Sequence, residues 1–131
     1  LAGPRGLPLW KPPYSFVTAL DMATGEYRWR TTLGAGPKDH EALAGLDLPD
    51  LGDGGKGFPL LTKTLLFVAQ ESEEKTIYAL DKATGDIVWR MELPGATNGA
   101  LMTYMADGKQ YIVIATGGLG NLVELVALRL P

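Results

Sequence analysis

A twelve-residue segment occurs twice in this chain, sixty positions apart: ALDMATGEYRWR from Ala19 to Arg30, and ALDKATGDIVWR from Ala79 to Arg90, identical at eight positions. Self-similarity at such a spacing marks a repeat architecture, in which one supersecondary unit cannot bury its apolar face alone and must stack on others. The chain is therefore read as part of an array.

Each segment reads as strand, tight turn, strand. The runs Phe16 to Leu20 and Thr76 to Leu80 are rich in β-branched and aromatic residues, which favour strands. Asp21 and Asp81 can accept hydrogen bonds from backbone N–H groups two or three residues on, and Thr24 and Thr84 can do the same more weakly. Gly25 and Gly85 permit a positive φ. On the outgoing strand Trp29 and Trp89 bring a large flat surface, while Ala19 and Ala79 leave room for a ring against the sheet. The two tryptophans are expected to be equivalent core anchors.

Alternation and turn signals extend this reading along the chain. Residues 15–32 hold two strands, Ser15 to Asp21 and Glu26 to Thr32. Residues 33–57 form a long Gly-, Pro- and Asp-rich loop, expected to be mobile, with room for one helical turn at Glu41 to Gly45. Residues 58–93 hold four strands: Phe58 to Thr62, Leu65 to Gln70, Thr76 to Leu80 and Asp86 to Leu93. Residues 100–131 hold three more, Ala100 to Tyr104, Gln110 to Thr116 and Leu122 to Leu128, joined by an Asp107-Gly108 turn and a Gly117-Gly118 loop. Val126-Ala127-Leu128 looks like a degenerate third copy of the strand before the turn. Seventeen Gly and nine Pro without long helical periodicity fit an all-β class of short strands and tight turns.

The pattern AxDxxTGxxxW resembles the tryptophan docking motif of quinoprotein propellers, in which the Trp packs between adjacent blades. Further stretches sharpen the likeness: GLPLWKPPYSFVTALD (Gly6 to Asp21), GPKDHEAL (Gly36 to Leu43), PLLTKTLLFVAQ (Pro59 to Gln70) and MTYMADGKQYIVIATGG (Met102 to Gly118). Together they resemble the C-terminal end of the pyrroloquinoline quinone (PQQ) dependent dehydrogenases, nearest the membrane-associated glucose dehydrogenase type. The resemblance implies a partial β-propeller, about two to three four-stranded antiparallel blades of an eight-bladed ring. It implies PQQ with a divalent cation, calcium or magnesium, in a parent enzyme of the periplasm, either anchored to the inner membrane or not. The parent would act on a sugar or alcohol and pass electrons to a quinone or other acceptor. The family's catalytic base, cation ligands and quinone-stacking residues lie upstream, so no catalytic or metal residue is named here. The fourth strand of the last blade would come from the other end of the polypeptide. Taken alone, the chain is expected to be inactive, to bind no cofactor tightly and to self-associate; otherwise its partners are the remaining blades. The alternative is a scaffold or binding propeller with the same docking motif, such as the lipoprotein propeller of outer-membrane protein assembly.

Net charge is −3, and the cationic residues form no stripe interleaved with aromatics, so the electrostatic footprint of a nucleic-acid binder is missing. No apolar run reaches the ~20 residues that span a bilayer. The absence of Cys removes disulfides, thiolate chemistry and cysteine zinc sites.

By resemblance, the loops opposite the Thr-Gly turns lie nearest the cofactor: Asp53 to Gly57, Gln70 to Lys75, Gly95 to Gly99 and Gly117 to Asn121. Within the first, Gly54, Gly55 and Lys56 have three readings. A phosphate loop is disfavoured, because the spacing is not GxxxxGK[ST] and no helix follows. A plain turn before an inner strand is favoured. In the family reading the backbone and Lys56 border the pocket, the ammonium facing the carboxylates of PQQ, although the resembled enzymes often carry Trp and Arg where Asp53 and Lys56 stand. Glu71, Glu73 and Glu74 read as a solvated loop rather than cation ligands. His40, without a second imidazole or thiolate, reads as an exposed loop residue. Trp10 reads as structural packing rather than a partner for a flat ring.

Overall fold

A computed structural model describes residues 3–118 and 121–129, all-β apart from two short 3-10 turns at Pro4–Gly6 and Glu41–Leu43. The chain forms two compact units, Leu1–Gly54 and Gly55–Pro131.

The first unit is built on a hairpin of β1 (Phe16–Leu20) and β2 (Tyr27–Thr32). The 33–54 excursion that follows is closed at its neck. Gly52 N–H donates to the Gly34 carbonyl at 2.9 Å, Leu51 N–H to the Ala35 carbonyl at 3.0 Å, and Tyr14 N–H to the Leu51 carbonyl at 2.7 Å. Glycine is required in this neck: at Gly36, φ is +68° and a Cβ would fall 2.4 Å from the Gly52 carbonyl oxygen. The expected mobile connection is thus a closed loop, tied also by a Lys38–Asp50 ion pair at 3.0 Å.

The second unit stacks two antiparallel sheets. One has the order β3 (Lys56–Leu61), β4 (Leu65–Glu71), β5 (Thr76–Asp81), β6 (Ile87–Glu92); the other has β7 (Met102–Ala106), β8 (Lys109–Gly118), β9 (Asn121–Arg129). Side chains alternate across a strand, so Phe67, Ala69, Ile77 and Met91 share one face of the first sheet and meet Ile112 and Ile114 of the second in a single apolar core. The β7–β8 hairpin turns on Asp107 (φ 49°) and Gly108 (φ 72°), the double positive-φ geometry favoured by two-residue loops.

Two strand starts differ from expectation by two residues. β3 begins at Lys56, not Phe58, because Lys56 and Gly57 already pair with Glu71 and Gln70. β7 begins at Met102, not Ala100, because the preceding connection is pinned elsewhere by a bridge between Thr97 and Thr116.

Both copies of the repeat carry a β-bulge that their sequence alternation does not announce. Ala19 pairs with Trp29 but Leu20 with Tyr27, and Ala79 pairs with Trp89 but Leu80 with Ile87. Arg28 and Val88 are the extra residues, so Tyr27 and Trp29 face opposite sides although they are two apart.

Candidate functional site

The two turns are built alike. Asp21 Oδ1 accepts from Ala23 N–H at 2.9 Å and Thr24 N–H at 3.3 Å; Asp81 Oδ1 accepts from Ala83 N–H at 2.7 Å and Thr84 N–H at 3.1 Å. Thr24 and Thr84 hydroxyls accept from the N–H groups of Glu26 and Asp86. Gly25 (φ 75°) and Gly85 (φ 81°) return their N–H to the carbonyls of Asp21 and Asp81 at 2.7 and 2.8 Å. In the first copy the bulge residue Arg28 also binds the Asp21 carboxylate, Nε to Oδ2 at 3.1 Å. The Ala23 amide foremost, then Arg28 and the Thr24 amide, hold the Asp21 carboxyl below its ordinary range. These aspartates brace turns.

Beside the second turn segment, Ala79 is buried and Trp89 stands opposite it, 43% exposed. The ring lines a cleft of about 450 Å³ between the two sheets of the second unit, with Phe67, Met91, Ile112, Leu128, Gln110 and Arg129. The repeat predicts equivalent core anchors; among the described residues Trp29 is half-buried, and Trp89 is on β6, an edge strand with a described neighbour on one side only.

At the opposite end of the second unit, hydrogen bonds join two of the loops expected near a cofactor, Gly95 to Gly99 and Gly117 to Asn121, and tie a third, Gln70 to Lys75, to Leu93. Leu93 N–H donates to the Lys75 carbonyl at 2.7 Å, and Gly117 N–H to the Ala96 carbonyl at 2.9 Å. Thr97 is buried, its hydroxyl 3.1 Å from the Ala115 carbonyl. Residues 119 and 120 of the Gly117 to Asn121 stretch lie outside the described residues. Lys56 and Gly55 belong to this unit. Lys56 lies at the start of β3, its side chain 82% exposed and its Nζ 3.6 Å from Glu71 Oε2. Gly55 is packed so closely that a Cβ would come 2.6 Å from the Glu71 carbonyl oxygen.

Gly54 ends the first unit with φ +77° and open space where a Cβ would be. Its N–H donates to Ser15 Oγ at 3.3 Å, while that hydroxyl lies 2.7 Å from the Leu33 carbonyl and 3.1 Å from Asp53 Oδ1. Ser15 is a hub the sequence reading passed over; its only signal is a small hydroxyl residue just before a strand.

Other candidates resolve locally. Glu71 is engaged by Lys56, and Glu74 accepts from the Tyr78 hydroxyl at 3.4 Å. Among the described residues no group of three or more His, Cys, Asp or Glu is placed to hold a metal ion. His40 is half-buried, not exposed, because its Nδ1 caps the 3-10 turn by accepting from Ala42 N–H at 3.1 Å. Trp10 is 73% exposed, not packed, since it lies in the irregular segment before β1. No helix among the described residues is long and apolar enough to cross a membrane.

Comparison with known proteins places this geometry. The chain is 31% identical over 98% of its length to the quinoprotein glucose dehydrogenase of Escherichia coli K12, and 33% identical over 86% to the quinate/shikimate dehydrogenase (quinone) of Acinetobacter baylyi. It is 34% identical over 92% to the glycerol dehydrogenase large subunit of Gluconobacter oxydans. It spans 14% to 17% of the length of these relatives. Residues 1–112 match the family model for the β-propeller domain of glucose/ethanol/alcohol dehydrogenases. With its repeated turn units and stacked antiparallel sheets, the chain is a partial β-propeller and belongs to this PQQ family.

Proposed function

We propose that this chain is a stretch of a PQQ-dependent dehydrogenase that oxidises a sugar or other alcohol, of the glucose, glycerol or quinate kind handled by the named relatives. The observation that carries the proposal is the family match over residues 1–112, coupled to two turn units of the same geometry. In this reading residues 15–32 are the end of one blade, 33–55 a connection, 56–93 a whole blade, and 102–131 three strands of a closing blade. Bound PQQ supplies a quinone that accepts hydride from the alcohol carbon, with calcium or magnesium as a Lewis acid.

The residues present fit a bordering role. Lys56 projects into solvent with only a 3.6 Å carboxylate contact, so its ammonium can reach an anionic cofactor. Gly54 leaves open space for a ligand's approach, although its amide is committed to Ser15. Gly55 keeps the backbone of β3 close to Glu71. No acid or base for the reaction is assigned to this chain. In this reading the whole enzyme works in the periplasm and passes its electrons to a quinone.

PQQ titration of the full-length polypeptide, followed by fluorescence quenching, tests this. Lys56→Ala should raise the Kd about tenfold, and dye reduction should appear with glucose, glycerol or quinate. A full-length protein that binds no PQQ overturns the proposal.

A further inference from the structure

Asn98 is followed by Gly99 in the connection between β6 and β7. An asparagine side-chain carbonyl carbon lies within reach of the next residue's backbone nitrogen, and closure between them makes a five-membered imide. Three things favour it: an exposed side chain, a nitrogen that no acceptor holds, and no Cβ in the path of attack. Asn98 meets all three. Its side chain is exposed. Among the described residues the Gly99 N–H finds no acceptor, and a Cβ built on Gly99 meets nothing within 4 Å.

The surroundings are fixed while the pair itself stays open. Thr97 is buried and bridged to Thr116, and its hydroxyl lies 3.1 Å from the Ala115 carbonyl and 3.3 Å from the Gly99 carbonyl. The chain's other asparagine, Asn121, precedes the branched Leu122 and pairs with Gly118 in the last sheet. Glycine also follows Asp53 and Asp107, but an ionised carboxylate resists nucleophilic attack, and the Gly54 N–H is given to Ser15 Oγ at 3.3 Å.

We propose that Asn98 is a site of spontaneous deamidation, which turns the Asn98-Gly99 link into a mixture of aspartyl and isoaspartyl forms as the protein ages. The Gly99 nitrogen gives up its proton to the medium and bonds to Asn98 Cγ; the Cγ–Nδ2 bond breaks and the side-chain nitrogen leaves as ammonia. Water, the single co-reactant, then opens the imide at either carbonyl. Opening at Cγ restores the main chain with a carboxylate side chain. Opening at the backbone carbonyl routes the main chain through Cβ and Cγ, adding one carbon next to Thr97. Both products carry a new negative charge. The added carbon strains the clasp in which Gly117 N–H donates to the Ala96 carbonyl at 2.9 Å. The proposal does not rest on the cofactor reading.

The folded full-length polypeptide is aged in mildly alkaline buffer, and the tryptic peptide of residues 91–109 is followed by mass spectrometry. A gain of about 1 Da should appear at Asn98, split between two chromatographic forms. Gly99→Ala should slow the gain at least about tenfold. The rate in the folded protein should lie within about threefold of that in urea, because the fold leaves the site open. Amide exchange in residues 110–118 should quicken at least about twofold in the aged protein. An Asn98 that keeps its mass in the folded protein while reacting in urea overturns the proposal, as does an undiminished rate in Gly99→Ala. Unchanged exchange in 110–118 after conversion overturns the coupling to the Gly117 clasp.

Discussion

Ala79 on β5 stands directly opposite Trp89 on β6, one residue past a bulge, and Ala19 stands in the same relation to Trp29. The methyl group keeps the sheet surface low where the indole must lie across it, and the bulge turns the ring to that side. In the second unit that side opens on the cleft between the sheets.

Trp89→Ala should destabilise the chain by about 2 kcal/mol, below the ~3 to 5 kcal/mol of a fully buried aromatic, because part of the ring already meets solvent. Leu80→Ala, at a fully buried site, should match or exceed it. Urea denaturation of both variants checks the order; a Trp89→Ala change within error removes the indole from the energetics of the fold.

Asp21 contributes a pH-dependent term. Its folded pKa is depressed, so the stabilisation is present above the ordinary value of 3.8 and is lost as pH falls through the folded value. Asp21→Asn should therefore be less stable than the parent at pH 7, with the gap closing as the pH falls through the carboxyl's lowered folded value. Arg28→Met should narrow the gap at pH 7. Denaturation series across pH for the three proteins test this, and a gap that stays constant down to pH 2 refutes it.

Gly36 and Gly25 both have positive φ, yet they differ in surroundings. A Cβ at Gly25 meets nothing within 4 Å, while one at Gly36 meets the Gly52 carbonyl oxygen at 2.4 Å. Gly25→Ala should cost about 1 kcal/mol of backbone strain. Gly36→Ala should cost more, since the neck of the 33–54 loop must also open. Comparable thermal midpoints for the two variants would contradict the close approach.

Ser15→Ala strips one hydroxyl from the Leu33 carbonyl, the Asp53 carboxylate and the Gly54 amide together. A loss of about 1 to 2 kcal/mol is expected, with faster amide exchange at Gly54 and unchanged exchange in β4 and β5. Ser15→Thr should recover part of the loss. Uniformly faster exchange throughout the chain would show that Ser15 holds no local clasp.

The strands and turns were legible because their signals are local. Ile77 to Leu80 is an apolar run that ends at an Asp, and Asp81 and Gly85 each perform at short range what their chemistry allows. The bulges were hidden because Arg28 and Val88 are ordinary strand residues; the register shift is a property of the paired strand, not of either residue. The neck of the long loop was hidden for a related reason. Ser15, Leu33 and Asp53 are far apart in sequence, and their meeting depends on Gly34, Gly36 and Gly52 letting backbones approach. His40 was misjudged by counting metal ligands, when its neighbour two residues on was the partner. Of the segment proposed to border a cofactor, residue types suggested Lys56, but its place inside β3 follows from pairing with Glu71, which no local pattern shows.

Because Gly34 and Gly52 meet by a 2.9 Å hydrogen bond, the residues between them begin and end at nearly the same point. Lengthening such a closed excursion changes its closure entropy only slowly, about 0.6 kcal/mol for each doubling. Insertions in the 44–49 stretch, between the family-like segment ending at Leu43 and the Asp50 that pairs with Lys38, should therefore leave the strands on either side undisturbed. Divergence among related enzymes is expected to collect there, while the twelve-residue repeats stay fixed.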